Sequence, residues 1–185
     1  DIIVESASQD AVNRFSKKIV EQGKSLIIMS VGALADPVLL SELLDIASHS
    51  SSRIYVPTGA IAGIDAIRSV KQLLDSVILT TTKNPRALAD APFFNMTRID
   101  VYAITEKTII YEGSAADAVK QFPANVNVAA ILSLAGIGIE RTKVKIIVDP
   151  YTSMNQHEIA ANGKFGEMII SVRNIPSPTN PKTSF

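Results

Sequence analysis

The chain contains no cysteine, which excludes a disulfide framework, a thiolate zinc site, an iron–sulfur cluster and a cysteine nucleophile. That absence is compatible with a reducing cytosol, and the cytoplasm is the expected location. Charge of one sign is lacking too: 18 Lys plus Arg are matched by 18 Asp plus Glu. A net charge of zero argues against a basic footprint for nucleic acid or for a membrane surface. Aromatic residues, 5% of the chain, leave few platforms on which bases could stack. Long apolar runs are also missing. The stretch from Val126 to Ile139, interrupted by Asn127 and Ser133, falls short of the ~18 residues of a spanning helix. No basic segment followed by an apolar run marks a secretory leader. Neither Gly-x-Gly-x-x-Gly nor the phosphate loop Gly-x-x-x-x-Gly-Lys-Ser/Thr occurs. Only two histidines are present, neither has a second histidine three or four residues on, and no metal site is expected.

What is present suits a globular protein. The 185 residues, 46% apolar and 19% charged, fit one ordinary domain, or one and part of another. Such a chain can bury about 70% of its unfolded surface, enough for a core without staples. It opens on Asp1-Ile2-Ile3-Val4 with no initiator Met, almost inside a strand-like run, whereas termini are usually loose and polar. A piece of a longer protein is expected.

Strand and helix signals alternate at first. Ile2–Val4 reads as a buried strand. Ala11, Val12, Phe15, Ile19 and Val20 recur at helical spacing between Gln9 and Gln22, with Gly23 at the C-cap. Ser25–Met29 is the next strand. Asp36-Pro37 combines a capping carboxylate with proline at the first helical position, and the helix is expected to run to about Ala47 with Val38, Leu39, Leu43, Leu44 and Ile46 inward. Arg53–Val56 is a third strand. Strands separated by single helices imply a parallel sheet, half of a doubly wound domain. Beyond Val70 the pattern changes. Ser76–Thr82 reads as a strand, 84–100 as an irregular connection, and Thr108–Tyr111 as a short strand. Ser114–Asp117 resembles a capping box opening a helix toward Phe122, and 127–134 is an Ala-rich helix. Val144–Val148, His157–Ala161 and Met168–Val172 are strands, the last two joined by an Asn162-Gly163 turn. A mixed or antiparallel sheet with helices on one face is expected there.

Three loops follow strands at their carboxyl ends, where open α/β sheets take ligands: Ser6–Gln9, Ser30–Asp36 and Thr58–Gly63. Their Gly, Ala and Ser would let backbone approach a flat ligand and N–H groups face an anion, although small residues also make tight turns for their own sake. His157, in Asn155-Gln156-His157-Glu158-Ile159 at a loop-to-strand transition, could move a proton near pH 7, or be a structural histidine. His49, in a Ser-rich turn after a helix, reads as a surface residue. Asn127 reads as a helix N-cap or as a partner for a carboxamide ligand. Lys182 and Thr183 near the C-terminus could meet a carboxylate, or belong to a solvated tail.

Taken together, several stretches resemble the L-aspartate dehydrogenase family of nicotinamide-dependent enzymes. These are Val4–Gln9, Met29–Asp36, Pro57–Ala66, Glu112–Ala115, Phe122–Ala130, Asn155–Ile159 and Asn180–Ser184, in order and at similar spacing along essentially the whole chain. The resemblance implies an α/β fold: the second half of a Rossmann-like doubly wound parallel sheet, then an α+β substrate and dimerisation domain with a mixed sheet. On that reading residues 1–58 belong to the dinucleotide-binding domain, 59–175 to the catalytic and dimerisation domain, and 176–185 to a tail returning toward the first. It implies a homodimer that oxidises L-aspartate to iminoaspartate with NAD or NADP, the imine feeding NAD biosynthesis. His157 matches the family's active-site histidine, and Ala60 and Asn127 match its nicotinamide contacts. Ser30, Gly32 and Ala33 are extended to the cofactor, and Lys182 and Thr183 to the substrate. Thr58 and Ala62 stand where the family more often has Ser and Gly. The family's glycine-rich phosphate loop would precede Asp1 and its last helix would follow Ser184, so the chain is expected to be a central piece with poor cofactor affinity and little activity by itself. A homoserine-dehydrogenase-like or dihydrodipicolinate-reductase-like enzyme is the nearest alternative; a non-catalytic binding or dimerisation module is the alternative of another class.

Overall fold

The computed structural model describes residues 1–123, 127–180 and 183–184. They fall into two compact units, Asp1–Gly59 and Ala60–Phe185. The first is a three-stranded parallel sheet in the order β1-β2-β3, made of Ile2–Glu5, Ser25–Ile28 and Ile54–Tyr55. Helix α1 (Gln9–Glu21) joins β1 to β2, and α2 (Pro37–Ser48) joins β2 to β3. The caps are those the sequence suggests: Ser8 Oγ accepts from Ala11 N–H at 3.1 Å, and Asp36 Oδ1 accepts from Val38 N–H at 2.9 Å, with Pro37 at the first position of α2. Gly23 follows α1 at a φ of +72°, a conformation glycine adopts without a steric penalty.

Helix α2 departs from expectation. Leu39 and Leu43 are buried and Ile46 is half-buried, but Val38 and Leu44 are 63% and 57% exposed. Positions 39, 43 and 46 form one stripe; 38 and 44 each lie a residue, about 100° of rotation, to its side.

The second unit is a mixed five-stranded sheet in the order β5-β6-β4-β7-β8. Its strands are β4 (Leu74–Lys83), β5 (Thr108–Ser114), β6 (Lys143–Val148), β7 (Asn155–Gly163) and β8 (Gly166–Asn174). Only the β4–β6 pair is parallel. Helices α3 (Ile64–Ser69), α6 (Ala115–Gln121) and α7 (Asn127–Ala135) contribute the buried Ile67, Ala118, Ile131 and Leu132. Ser114 caps α6 by accepting from Asp117 N–H at 3.1 Å.

Two expectations for this unit need correction. The connection 84–100 contains two short helices, α4 (Pro85–Leu88) and α5 (Pro92–Thr97), each with proline at its start, where the missing N–H costs nothing. Asn84 caps α4 through Arg86 N–H. In α5, Phe93 and Phe94 are buried with Phe122: the Phe93 and Phe122 rings stack at 5.0 Å, and Phe93 meets Phe94 edge-on at 5.3 Å. The hairpin turn is not at Asn162-Gly163 either. Those residues are still paired strand, with Gly163 opposite Gly166, so the chain reverses at Lys164-Phe165. Glycine at 163 answers a different need: a Cβ there would collide with the Leu73 carbonyl, which accepts from Lys164 N–H at 2.8 Å.

Gly163→Ala is accordingly expected to destabilise the protein by about 1–3 kcal/mol, as overpacking does, seen as a lower urea midpoint. An unchanged midpoint would mean that the contact with Leu73 yields freely.

Candidate active site

β4 and β7 pair antiparallel with Thr81 opposite His157, and β7 pairs with β8 with His157 opposite Val172. Side chains alternate along a strand, so Val77, Leu79, Thr81 and Lys83 share one face of β4. Asn155, His157, Ile159 and Ala161 share the matching face of β7. All eight are buried. The stripe is apolar where β4 enters the sheet and polar where it leaves. At that end Lys83 and His157 are each 3% exposed and Asn155 1%.

His157 Nδ1 lies 3.1 Å from Thr81 Oγ1. Burial lowers the imidazole pKa from 6.5, and the Lys83 charge lowers it further, to about 4. Burial likewise brings Lys83 from 10.5 to about 8. At pH 7 the imidazole is neutral and the ammonium carries its charge. A neutral imidazole has one donor and one acceptor nitrogen. With Nδ1–H donating to Thr81, Nε2 keeps its lone pair and can take a proton.

Other residues gather at the same end of this sheet. Asn155 Nδ2 donates to the Thr183 carbonyl at 3.2 Å and to Ser184 Oγ at 3.1 Å, which ties the C-terminal segment to the start of β7. Ser177 N–H also donates to the Thr183 carbonyl, and Thr183 Oγ1 donates to the Asn180 carbonyl. Lys182 lies outside the described residues. On β8, Asn174 is in register with Asn155 and donates to the Ala60 carbonyl at 2.8 Å. Ala60 and Thr183 are thereby fixed to the two neighbouring strands on which the polar stripe ends. A groove of about 510 Å³ opens at this end, with Asn84, Arg86, Tyr102, Thr152 and Asn155 among its lining. Asn127 opens α7 and is half-buried, while Gly136, past the other end of α7, sits against Leu74 where β4 begins.

In the first unit, Glu5 ties together the loops that leave β1 and β2. Its carboxylate accepts from Ala7 N–H (2.7 Å), Ser8 N–H (2.9 Å), Ser30 N–H (2.9 Å) and Ser30 Oγ–H (3.0 Å). Partial burial alone would raise its pKa; these hydrogen bonds outweigh that and hold the carboxyl below its ordinary value. Ser30 therefore spends two donors on Glu5, and Val31–Ala35 forms a 3-10 turn in which Gly32 and Ala33 are buried. After β3, Gly59 and Gly63 take φ of +63° and +73°, and a Cβ at Gly63 would meet the Ile170 side chain. Side-chain-free, left-handed backbone in a loop after a parallel strand fits the close approach of a flat dinucleotide. Among the described residues no three His, Cys, Asp or Glu side chains cluster as metal ligands. His49 is a surface residue whose Nδ1 lies 2.9 Å from the Asp45 carbonyl at the end of α2.

Thr81, Lys83, Asn155 and Glu5 escaped the reading of the sequence. For Lys83 a signal existed: Val77, Leu79, Thr81 and Lys83 keep a strict period of two, which places the lysine on the inner face once the strand is extended by a single residue.

Comparison with known proteins follows the same division. A profile described as "Aspartate dehydrogenase, C-terminal" matches residues 65–185, and one described as "Homoserine dehydrogenase, NAD binding domain" matches residues 1–57. The L-aspartate dehydrogenase of Nitrosopumilus maritimus is 50% identical over 184 residues, covering 100% of this chain and 68% of that protein. That of Methanosarcina barkeri is 50% identical over 186 residues, covering 100% and 69%. The crystal structure of aspartate dehydrogenase from Thermotoga maritima superposes with a TM-score of 0.79 at 32% identity, over 93% of this chain and 68% of that one. A hyperthermophilic archaeal homoserine dehydrogenase in complex with NADPH shares the fold, with a TM-score of 0.51 at 13% identity.

The depressed pKa of His157 has a measurable consequence. Between about 4 and 6.5 the unfolded chain binds more protons at this residue than the folded one. Its contribution to stability is therefore complete above pH 6.5 and is lost as pH falls through that window. The thermal midpoint is expected to fall more steeply across this range in the parent protein than in His157→Gln. Identical pH dependence in the two would contradict a buried neutral imidazole.

Proposed function

The chain belongs to the aspartate dehydrogenase family, and from that membership we propose that it oxidises L-aspartate to iminoaspartate with NAD or NADP, using His157 as the base. The observation that carries this reading is the neutral imidazole of His157, bound through Nδ1 to Thr81 at the sheet end where Lys83, Asn155 and Thr183 meet. The homoserine-dehydrogenase-like alternative rests on residues 1–57, whereas His157 lies in the part that matches the aspartate dehydrogenase profile.

The chemistry assigns each group a task. The α-ammonium of aspartate must lose a proton before a carbon–nitrogen double bond can form, and His157 Nε2 takes that proton. The nicotinamide, when bound, accepts the α-hydrogen as hydride with its two electrons. Thr81 fixes the tautomer by receiving Nδ1–H. Ala60 and Asn127 are assigned to the nicotinamide, the Ser30, Gly32 and Ala33 turn to the cofactor, and Lys182 and Thr183 to the substrate. In this reading residues 1–58 serve the cofactor and 59–175 carry catalysis and dimerisation. Among the described residues no helix is long and apolar enough to cross a membrane. With the cysteine-free composition, this supports a cytoplasmic enzyme, taken here as a homodimer whose product feeds NAD biosynthesis.

In the full-length protein, His157→Ala is expected to lower turnover with aspartate by at least ~10-fold, within the range of general acid–base catalysis, with an unchanged circular dichroism spectrum. Thr81→Val should lower it less, with little change in KM, and Thr81→Ser should restore it. Unaltered steady-state rates in His157→Ala would remove the histidine from the mechanism.

A further inference from the structure

Lys83 is a buried cation in the wall of this site, and no role has so far been given to it. It is the last residue of β4, two residues beyond Thr81 on the same face, and Thr81 both faces His157 in register and contacts its ring. Charged side chains elsewhere on the adjoining strands alternate away: Glu158 and Arg173 fall on the opposite, exposed face. Asn84, the residue after Lys83, and Asn155, two before His157, both line the groove that opens at this end.

We propose that the Lys83 ammonium binds a carboxylate of the substrate beside His157. The choice of a dicarboxylate ligand rests on the aspartate reading above. Three features favour this role. An ammonium buried in a protein meets an anion with far less screening than one in water, and it forms the shorter, stronger charge-assisted hydrogen bonds. Keeping a lysine so deeply buried is expensive, which sets it apart from the many exposed lysines of this chain.

The third feature is an electrostatic problem that a carboxylate solves. His157 must become an imidazolium when it takes the substrate proton, in a wall that already holds a cation. Burial and the Lys83 charge together make the free imidazole a weak base. A carboxylate seated on Lys83 cancels the second of these effects. The substrate thus restores part of the basicity that its own deprotonation requires, and the base is strengthened only when a substrate is in place.

Succinate, a dicarboxylate with no amine to oxidise, separates binding from turnover. The full-length protein, saturated with NAD, is titrated with succinate by calorimetry and by the NMR signal of the His157 ring. Binding with a shift of that signal is expected in the parent protein. In Lys83→Met, affinity should fall at least tenfold and the shift should vanish, with Lys83→Arg retaining most of both. Lys83→Gln replaces the Met variant if the latter does not fold. Aspartate KM should rise in parallel, by more than kcat falls.

Succinate affinity within twofold of the parent in Lys83→Met and Lys83→Gln would overturn the proposal, as would a parent protein that binds no succinate. The aspartate reading stands or falls separately. A parent that binds succinate through Lys83 but does not oxidise aspartate keeps the carboxylate site and loses the substrate assignment. A parent that oxidises aspartate with a KM indifferent to Lys83 keeps the substrate and loses the site.

Discussion

The register between β4 and β7 governs the second unit, because it sets Thr81 against His157 on a face that is otherwise closed to water. Strand side chains alternate, so a slip of one residue would turn His157 to the exposed face and carry Glu158 inward. Leu79 against Ile159 and Val77 against Ala161 resist that slip, since each would surrender its burial. The apolar half of the stripe thereby fixes the position of its polar half. Gly163, at the far end of β7, serves the same register by letting the strand pass close to the Leu73 carbonyl.

Polar groups inside a sheet are costly unless they are hydrogen-bonded, and this stripe collects four of them at one end. Asn155 is satisfied by the C-terminal segment and His157 by Thr81. These contacts turn the cost into geometry, since a side chain held by a buried partner keeps one orientation. They also hold the histidine neutral. The first unit uses a related device: Glu5 gathers four donors from two crossover loops and fixes the backbone where a parallel sheet presents its ligand-binding edge.

Much of this architecture could be read from residue order. The alternation of Ile2–Val4, the Gln9–Gln22 helix, Ser25–Met29 and the Asp36-Pro37 cap already specifies parallel strands with helical crossovers, and His157 stands out because only two histidines exist. What escaped detection was information held between segments. Nothing local to Thr81 or Asn155 says what lies opposite, because partners there are 76 and 28 residues away. Lys83 was passed over because a lysine after three threonines looks like the start of a loop. Asn84-Pro85 and Ala91-Pro92 were read as breaks, although proline opens a helix as readily as it ends one. The Asn162-Gly163 pair misled because glycine there serves a close backbone approach rather than a turn.

The most direct test is the titration of the His157 ring itself, followed by proton NMR in the free protein, with a His49→Asn variant separating the two histidines. A ring that stays neutral through pH 6 and protonates only near about 4 agrees with an imidazole buried against Thr81 beside a lysine cation. A midpoint at the ordinary 6.5 would contradict it, placing His157 in water and dissolving the polar wall on which the site depends.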